Sequence, residues 1–251
     1  MNMPFQNDLV SIIMPSYNSS EFLDEAIQSV LSQTYKKFEL IVVDNMSKDE
    51  SLKIATKYAR QDNRVKVFVC NIPGAANARN FGINKSLGRY MAFLDADDIW
   101  FKQKLEKQIY HMKKLSVSLS CTYYQPFSGQ GDLKSVRIVS NKITYLSLLK
   151  TCTVGCSTVM IDRQKHPDIL FPQTYKEDYA LWLKLTRKGD YFSGISDVLT
   201  QYRICDNSLS SNKFREIFRQ WNVYRNEENI PLLNACYYLL NYIFYGLKKR
   251  G

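Results

Sequence analysis

Short apolar runs alternate with segments of helical periodicity through the first half of the chain. Apolar runs of strand length lie at residues 10–14, 38–43, 65–70 and 90–94. Between them, apolar side chains recur every three or four residues, which predicts helices near 23–31, after Ser47 and Glu50 (a capping-box spacing), and over 75–87. Strands and helices that alternate through such short connections favour an α/β fold with a doubly wound, mostly parallel sheet and helices on both faces.

The second half of the chain has a less regular pattern. It predicts helices over 102–115 and from near Asp178, and strands over 119–124, 156–161, 191–192 and 198–202. After Asn212 the pattern is helical throughout, so we expect an α/β body over residues 1–212 and a C-terminal extension of amphipathic helices over 213–251.

The last apolar segment of the chain raises the question of membrane contact. Residues 230–247 carry no charged side chain, and Lys248, Lys249 and Arg250 follow directly. The segment is long enough to span a bilayer. Because Pro231, two asparagines and four tyrosines interrupt it, we expect instead a helix that lies in the membrane interface or packs on the body of the protein.

Charge and composition narrow the function classes. The chain has 251 residues with 34 Lys and Arg against 24 Asp and Glu, a net charge of +10, so it favours an anionic partner. A nucleic acid is one such partner, but the basic residues are dispersed along the chain, so an anionic membrane surface is the better prediction. An ordinary solvated basic face is the alternative to both.

Cysteine and histidine usage bears on redox compartment and metal chemistry. Six scattered cysteines favour a reducing compartment, and two histidines without a CxxC pair argue against a His- or Cys-based metal site. Any bound metal is therefore expected to be a hard cation held by carboxylates. The N-terminus has no basic segment followed by an apolar stretch, so we expect no signal peptide, and the missing GxGxxG after the first strand argues against a dinucleotide-dependent oxidoreductase.

Polar residues follow the predicted strands at the sheet edge where open parallel sheets bind ligands. Pro15 and Tyr17 follow the first strand, Asp44 and Asn45 end the second, and the run Asp95-Ala-Asp97 follows the fourth. Two carboxylates separated by one small residue can both reach a hard cation that keeps positions open for diphosphate oxygens. The alternative is a solvated turn with an acidic helix N-cap.

Two further segments are candidates for chemistry. Arg79, at the start of the third predicted helix, can hold a phosphate oxygen, with a surface arginine as the alternative. Glu177 and Asp178 begin a predicted helix, where acidic residues compensate the helix dipole. The functional alternative is that Asp178 is a general base for an attacking hydroxyl group.

Several motifs together resemble family 2 glycosyltransferases. In the first half they are VSIIMPSYN at 10–18, SVLSQT at 29–34, ELIVVD at 39–44, ARNFGI at 78–83 and GRYMAFLDADDIW at 88–100. In the second half, GCST at 155–158, EDYALW at 177–182 and YR at 202–203 are similar to members that build bacterial surface polysaccharides such as capsule, O-antigen and teichuronic acid. The resemblance covers about residues 8–225.

This resemblance implies a GT-A catalytic domain over 1–212, with a nucleotide-sugar-binding half at about 8–115 and an acceptor half at about 116–212. It also implies an inverting, metal-dependent transfer from a nucleotide-diphosphate donor, of the UDP type, to a hydroxyl of a lipid-linked or polysaccharide acceptor. The expected cofactor is Mn²⁺ or Mg²⁺, and the expected location is the cytoplasmic face of the cell membrane. A non-catalytic sugar-nucleotide-binding protein and a basic nucleic-acid-binding protein are the alternatives.

The resemblance also assigns roles by position. The residues implied to bind the nucleotide sugar are Pro15, Tyr17, Asp44, Asn45, Arg79, Asp95 and Arg203. Asp97, with Asp95, is implied to hold the metal, and Asp178 is implied to be the catalytic base. Many members have Asp-Asp after the second strand, whereas this chain has Asn45 in the second position, whose amide oxygen can still accept a hydrogen bond from uracil N–H.

Overall fold

The centre of the molecule is a mixed β-sheet. It is seen in a computed structural model that describes residues 5–128, 131–204 and 213–248, and within these residues the sheet has nine strands. The strands are β1 Gln6–Ser16, β2 Phe38–Asp44, β3 Val65–Val69, β4 Gly88–Phe93, β5 Ile99–Trp100, β6 Leu119–Ser128, β7 Lys142–Ile143, β8 Met160–Asp162 and β9 Phe192–Ile204. The helices are α1 Leu23–Leu31, α2 Ser51–Gln61, α3 Ala75–Lys85, α4 Lys104–Leu115, α5 Tyr145–Lys150, α6 Glu177–Thr186, α7 Lys213–Asn222 and α8 Leu232–Lys248.

The first four strands form the parallel, doubly wound part of the sheet. Their order is β3-β2-β1-β4, with Ile13 of β1 opposite Ile41 of β2 and Phe93 of β4. The chain moves outward from β1 to β3 and then returns to the other side of β1. The crevice between the carboxyl ends of β1 and β4 is therefore the switch point where such sheets bind ligands.

Apolar residues on both sides of the strands build one core on each face of the sheet. Side chains of β1 alternate between the two cores: Ile12 packs with α1, α2 and α4, whereas Ile13 packs with α3 and α6. This three-layer arrangement agrees with the prediction of helices on both faces.

The second half extends the sheet with mixed pairings. β8 is antiparallel to both β4 and β6, β9 is parallel to β6, and β5 and β7 are antiparallel to β9. The mostly parallel prediction therefore describes the first half, and antiparallel pairs join the second half to it.

Four local predictions differ from the structure. The segment 156–161 is a 3₁₀ turn over Cys156–Thr158 followed by β8, and the two predicted strands at 191–192 and 198–202 are the single strand β9. The Ser47–Glu50 capping box is absent; instead an Asp49 carboxylate oxygen accepts from the backbone N–H of Ser51 at 3.0 Å. α3 ends at Lys85, because Ser86 is already extended and leads into β4.

The C-terminal helices pack on the body through one face. Tyr224, in the π-helical turn Val223–Glu227 after α7, and Ala235 of α8 lie in the core beside α5 and α6. The opposite face of α8 is exposed. In the part of the chain that the structure describes, no helix combines the length and hydropathy needed to cross a bilayer.

Candidate active site

The candidate site lies at the carboxyl ends of β1, β2 and β4. Ser16 and Asp44 are opposite each other in the register of β1 and β2, and the Asp95–Asp97 loop follows β4. α3 approaches this edge closely, since a Cβ added at Gly82 would lie 2.8 Å from Cγ2 of Ile13. The small residues of α3 therefore allow Arg79 to reach the loop after β4.

Two buried polar atoms mark the end of β1 and β2. Ser16 Oγ and Asp44 Oδ1 have no hydrogen-bond partner among the described residues, while Asp44 Oδ2 accepts from the backbone N–H of Ser47 at 3.2 Å. Buried polar atoms without partners are costly, and a ligand is a common reason for them. On either side of Ser16 in the chain, Pro15 is partly buried and Tyr17 is exposed.

Asn45 fixes the loop that leads into α3 by hydrogen bonds to its backbone. Its Nδ2 donates to the carbonyl oxygens of Cys70 and Ile72 at 2.9 and 2.7 Å, and its Oδ1 accepts from the backbone N–H of Gly74 at 2.8 Å. Only an amide can donate these two hydrogen bonds, because an ionised carboxylate has no N–H or O–H to donate. The asparagine in place of the family's aspartate therefore has a structural task here, and its contact with a uracil stays a prediction.

Arg79 joins the loop after β4 to the start of α6. Its Nη2 donates to Asp95 Oδ1 and its Nη1 to Glu177 Oε1, each at 2.7 Å, and the guanidinium is buried near Phe171. Each Nη carries a charge-assisted hydrogen bond, which is stronger than one between neutral groups. The alternative of a surface arginine is wrong, and the predicted contact with the diphosphate stays a prediction.

Asp98, Ser157 and Arg203 hold the loop from the other side. The buried Asp98 carboxylate accepts from Ser157 Oγ at 2.6 Å and from the backbone N–H of Arg203 at 2.9 Å. The Arg203 Nε donates to the backbone carbonyl of Asp97 at 2.9 Å, and its Nη2 donates to Glu25. Arg203 is thus a support of the Asp97 backbone, and the contact with the donor implied for it stays a prediction.

The Asp97 carboxylate is partly buried beside a second carboxylate. Burial, and then the nearby charge of Asp95, raise the pKa of Asp97 to about 6. The Asp97 backbone N–H donates to this carboxylate and, with Arg203 and Arg79, opposes the increase in pKa. Hard carboxylate oxygens with free lone pairs and a penalty on their negative charge fit a divalent cation.

The described residues do not supply a complete metal shell by themselves. No group of three or more His, Cys, Asp or Glu side chains in them is arranged to hold an ion. Asp95 is already bonded to Arg79. A cation at this edge would therefore take most of its ligands from a bound phosphate and water, as Mg²⁺ does at phosphate sites.

Asp178 lies in the first turn of α6, beside the Arg79 pair. Burial, and then the neighbouring Glu177, raise the pKa of Asp178 to about 6, and Arg79 opposes this increase. One of its oxygens accepts from the backbone N–H of Tyr179 at 2.7 Å. A carboxylate with this pKa is ionised at neutral pH and is basic enough to accept a proton.

The structure brings together most of the residues singled out from the sequence. Arg79, Asp95 and Glu177 are in direct contact, and the electrostatics of Asp178 respond to each of them. Sequence reasoning missed the roles of Ser157 and Asp98, which hold the loop after β4. The GCST motif at 155–158 is the sequence signal for Ser157, but its pattern predicts a strand over 156–161 where the structure has a 3₁₀ turn.

The comparisons with known proteins decide the family. A sequence model described as glycosyl transferase family 2 matches residues 11–169. The chain belongs to glycosyltransferase family 2. It is 42% identical over 246 residues to the Escherichia coli "UDP-Glc:alpha-D-GlcNAc-diphosphoundecaprenol beta-1,3-glucosyltransferase WfgD", and this match covers 97% of the chain and 95% of WfgD.

Solved structures of glycosyltransferases share the fold. S. aureus TarS 1–349 in complex with UDP-GlcNAc matches with a TM-score of 0.70 at 21% identity, covering 93% of this chain and 71% of that one. The mannosyltransferase PcManGT of Pyrobaculum calidifontis, in complex with GDP-Man and Mn²⁺, matches with a TM-score of 0.68 at 17% identity, covering 92% and 69%. The predicted family and GT-A fold are confirmed, and the glycosyltransferase class is favoured over a nucleic-acid-binding module.

Proposed function

We propose that this family 2 glycosyltransferase moves a sugar from a UDP-sugar, with inversion, to a hydroxyl group of a lipid-linked or polysaccharide acceptor in bacterial surface glycan synthesis. The observation that carries the proposal is the position of Arg79 between the carboxylates of Asp95 and Glu177, with both of which it pairs. Its charge also opposes the increase in pKa that burial causes at both Asp97 and Asp178. The name of the relative WfgD, a UDP-Glc-dependent enzyme with a diphosphoundecaprenol-linked acceptor, supports both substrate classes.

The nucleoside is assigned to the carboxyl ends of β1 and β2. A uracil N–H that donates to Asp44 Oδ1 would satisfy the partnerless buried oxygen there, and the neighbouring Ser16 hydroxyl offers a second group. Pro15, Tyr17 and Asn45, which lie at the same strand ends, are assigned to the nucleoside contact as well.

Asp97, assisted by Asp95, is assigned to hold Mn²⁺ or Mg²⁺, and the enzyme is proposed to be metal-dependent. When bound, the cation supplies positive charge that stabilises the diphosphate leaving group. The two carboxylates supply hard oxygen ligands, and Arg79 keeps Asp95 in place and adds a positive charge near the diphosphate.

Asp178 is assigned as the general base. It accepts the proton of the acceptor hydroxyl group while the hydroxyl oxygen attacks the anomeric carbon and the bond from that carbon to the diphosphate breaks. One displacement of this kind inverts the anomeric configuration. The pKa of Asp178, raised by burial and by Glu177, makes its carboxylate a stronger base than an exposed aspartate.

The exposed face of α8 is assigned to an anionic membrane surface. Leu233, Tyr237, Leu240 and Phe244 recur along this face, and Leu233 is 83% exposed. In the sequence Lys248, Lys249 and Arg250 follow, of which the last two lie outside the described residues. An aromatic and aliphatic row with cationic residues at its end suits the headgroup region of the cytoplasmic leaflet, where a lipid-linked acceptor is found.

Two substitutions test the chemistry. Asp97→Ala should weaken UDP binding at least about tenfold in Mn²⁺, measured by titration calorimetry, and EDTA should remove the difference. Asp178→Asn should keep UDP affinity but lower transfer from UDP-glucose to a short-chain lipid-diphosphate-GlcNAc by about 10²–10⁴-fold. The exposed Asp168→Asn is the matched control and should change neither. Parental UDP affinity in Asp97→Ala, or parental transfer in Asp178→Asn, would refute the corresponding assignment.

A pair of variants tests the membrane assignment in the full chain. Leu240→Gln with Phe244→Gln should lower co-sedimentation with phosphatidylglycerol-rich vesicles about tenfold, because both lose apolar contact with the bilayer. Leu146→Gln, at an exposed leucine of α5, is the control. Equal binding of all three proteins would remove the membrane from the proposal.

A further inference from the structure

The lysine before α6 is held by both C-terminal helices. Lys176 Nζ donates to Gln220 Oε1 of α7 at 2.9 Å and to the Tyr242 hydroxyl of α8 at 3.1 Å, and it forms an ion pair with Glu216 of α7 at 3.1 Å. Its side chain is 13% exposed. Three groups from two helices thus converge on one buried ammonium.

These contacts are specific enough to fix a position. A buried ammonium is costly unless it is fully paired, so its partners restrict where it can lie. Glu216 is itself held by Arg219 at 2.7 Å, and the Arg219 guanidinium lies 5.0 Å from the ring centre of Tyr175. Both residues that precede α6 therefore contact α7.

The start of α6 needs such support. Lys176 is the N-cap residue of α6, and no side chain caps the helix there. The first turn of a helix lacks intrahelical partners for its N–H groups, so an uncapped first turn is the part that frays. This turn carries Glu177, which pairs with Arg79, and Asp178.

We propose that Lys176 is a positioning residue for Asp178. Through Lys176, α7 and α8 hold the first turn of α6 in a fixed position relative to the donor site. The inference rests on the proposed function, because it takes Asp178 to be the base. The C-terminal helices are then part of the catalytic apparatus as well as a membrane-facing surface. A displacement of about 1 Å at a reacting group can lower a rate by about a hundredfold, so a modest loosening is measurable.

The test compares lysines at the two ends of α6. Lys176→Met removes all three contacts and keeps an unbranched side chain only one atom shorter. Lys184→Met makes the same change at an exposed position in the last turn. Lys176→Met should lower kcat about 10–100-fold, leave the Kd for UDP in Mn²⁺ within about twofold, and keep a cooperative unfolding transition. Lys176→Arg should recover most of the lost kcat, because it keeps the charge for Glu216. Lys184→Met should match the parent.

A second variant acts from the other side of the contact. Glu216→Gln with Tyr242→Phe leaves Lys176 in place and weakens its partners, so it should lower kcat with unchanged UDP affinity even if Lys176→Met does not fold. Parental kcat in Lys176→Met or in this double variant would overturn the inference, as would a loss of UDP affinity that parallels the loss of kcat.

Asp178→Asn separates the two proposals. If Asp178→Asn transfers sugar at the parental rate, the base assignment fails, and the positioning inference fails with it. If Asp178→Asn is inactive while Lys176→Met is fully active, only the positioning inference fails.

Discussion

Replacement of Arg79 by methionine removes the side chain that joins the two halves of the candidate site. The change leaves Asp95 and Glu177 without their shared cation and breaks two charge-assisted hydrogen bonds of 2.7 Å. Breaking a buried ion pair by removing one partner costs about 3–5 kcal/mol. Water can reach Asp95, whose side chain is 30% exposed, more readily than Glu177 at 19%, so we expect the lower end, about 3 kcal/mol.

Thermal unfolding measures this loss. For a chain of this size, about 3 kcal/mol corresponds to a decrease of roughly 6–12 °C in Tm. Arg79→Lys keeps one pair and should lose about half as much, since an ammonium cannot span both carboxylates. Lys53→Met, which breaks the exposed pair with Glu50, is the control and should leave Tm unchanged. An Arg79→Met variant with the parental Tm would refute the conclusion that the contacts of Arg79 with Asp95 and Glu177 stabilise the fold.

Three further predictions concern pH and packing. Because Asp178 must be ionised to act as base and its pKa is raised to about 6, kcat should fall as pH decreases through about 6 and reach about a tenth of its plateau near pH 5; a flat kcat–pH profile over this range contradicts the base assignment. Asn45→Asp places a carboxylate against two carbonyl oxygens and should lower the free energy of unfolding by about 2–4 kcal/mol in urea titrations, a cost that an unchanged midpoint would exclude. Gly194→Ala would put a Cβ 2.2 Å from the Ser140 carbonyl oxygen and should lower the free energy of unfolding by about 3 kcal/mol or more. Gly246→Ala in α8 meets no described atom within 4 Å and should raise it by about 0.5–1 kcal/mol. The reverse order of stabilities in urea titrations would count against the packing described.

The parallel half of the fold was predictable because its signals are local. The runs that form β1, β2 and β4 are mostly buried on both faces, which is what a strand covered by helices on both sides requires, whereas β3 is partly exposed. The two-residue strands β5 and β7 carry too few positions to show any period. The sequence pattern predicts two strands in place of β9, because Ser196 and Asp197 interrupt the apolar run. The structure accommodates these two residues as an irregularity in the register with β6.

The candidate site was predictable one residue at a time, but its contacts were not. Asp97 follows a strand and Asp178 lies in the first turn of a helix, and both positions can be predicted from the sequence. The pairing of Arg79 with Glu177 joins residues 98 positions apart, and no spacing rule reports such a distance. The three partners of Lys176 depend on how the C-terminal helices fold back, which periodicity alone leaves open.

The join between the two halves of the sheet constrains how this protein can be made. β4 has β1 on one side and only the three-residue strand β8 on the other, and β8 arrives some seventy positions later in the chain. Until then, a nascent polypeptide that has already formed its parallel half presents the bare N–H and C=O groups of β4 to its neighbours on other ribosomes. Shielding by a chaperone, or delayed closure of the first half, would keep such intermediates from pairing edge to edge during synthesis.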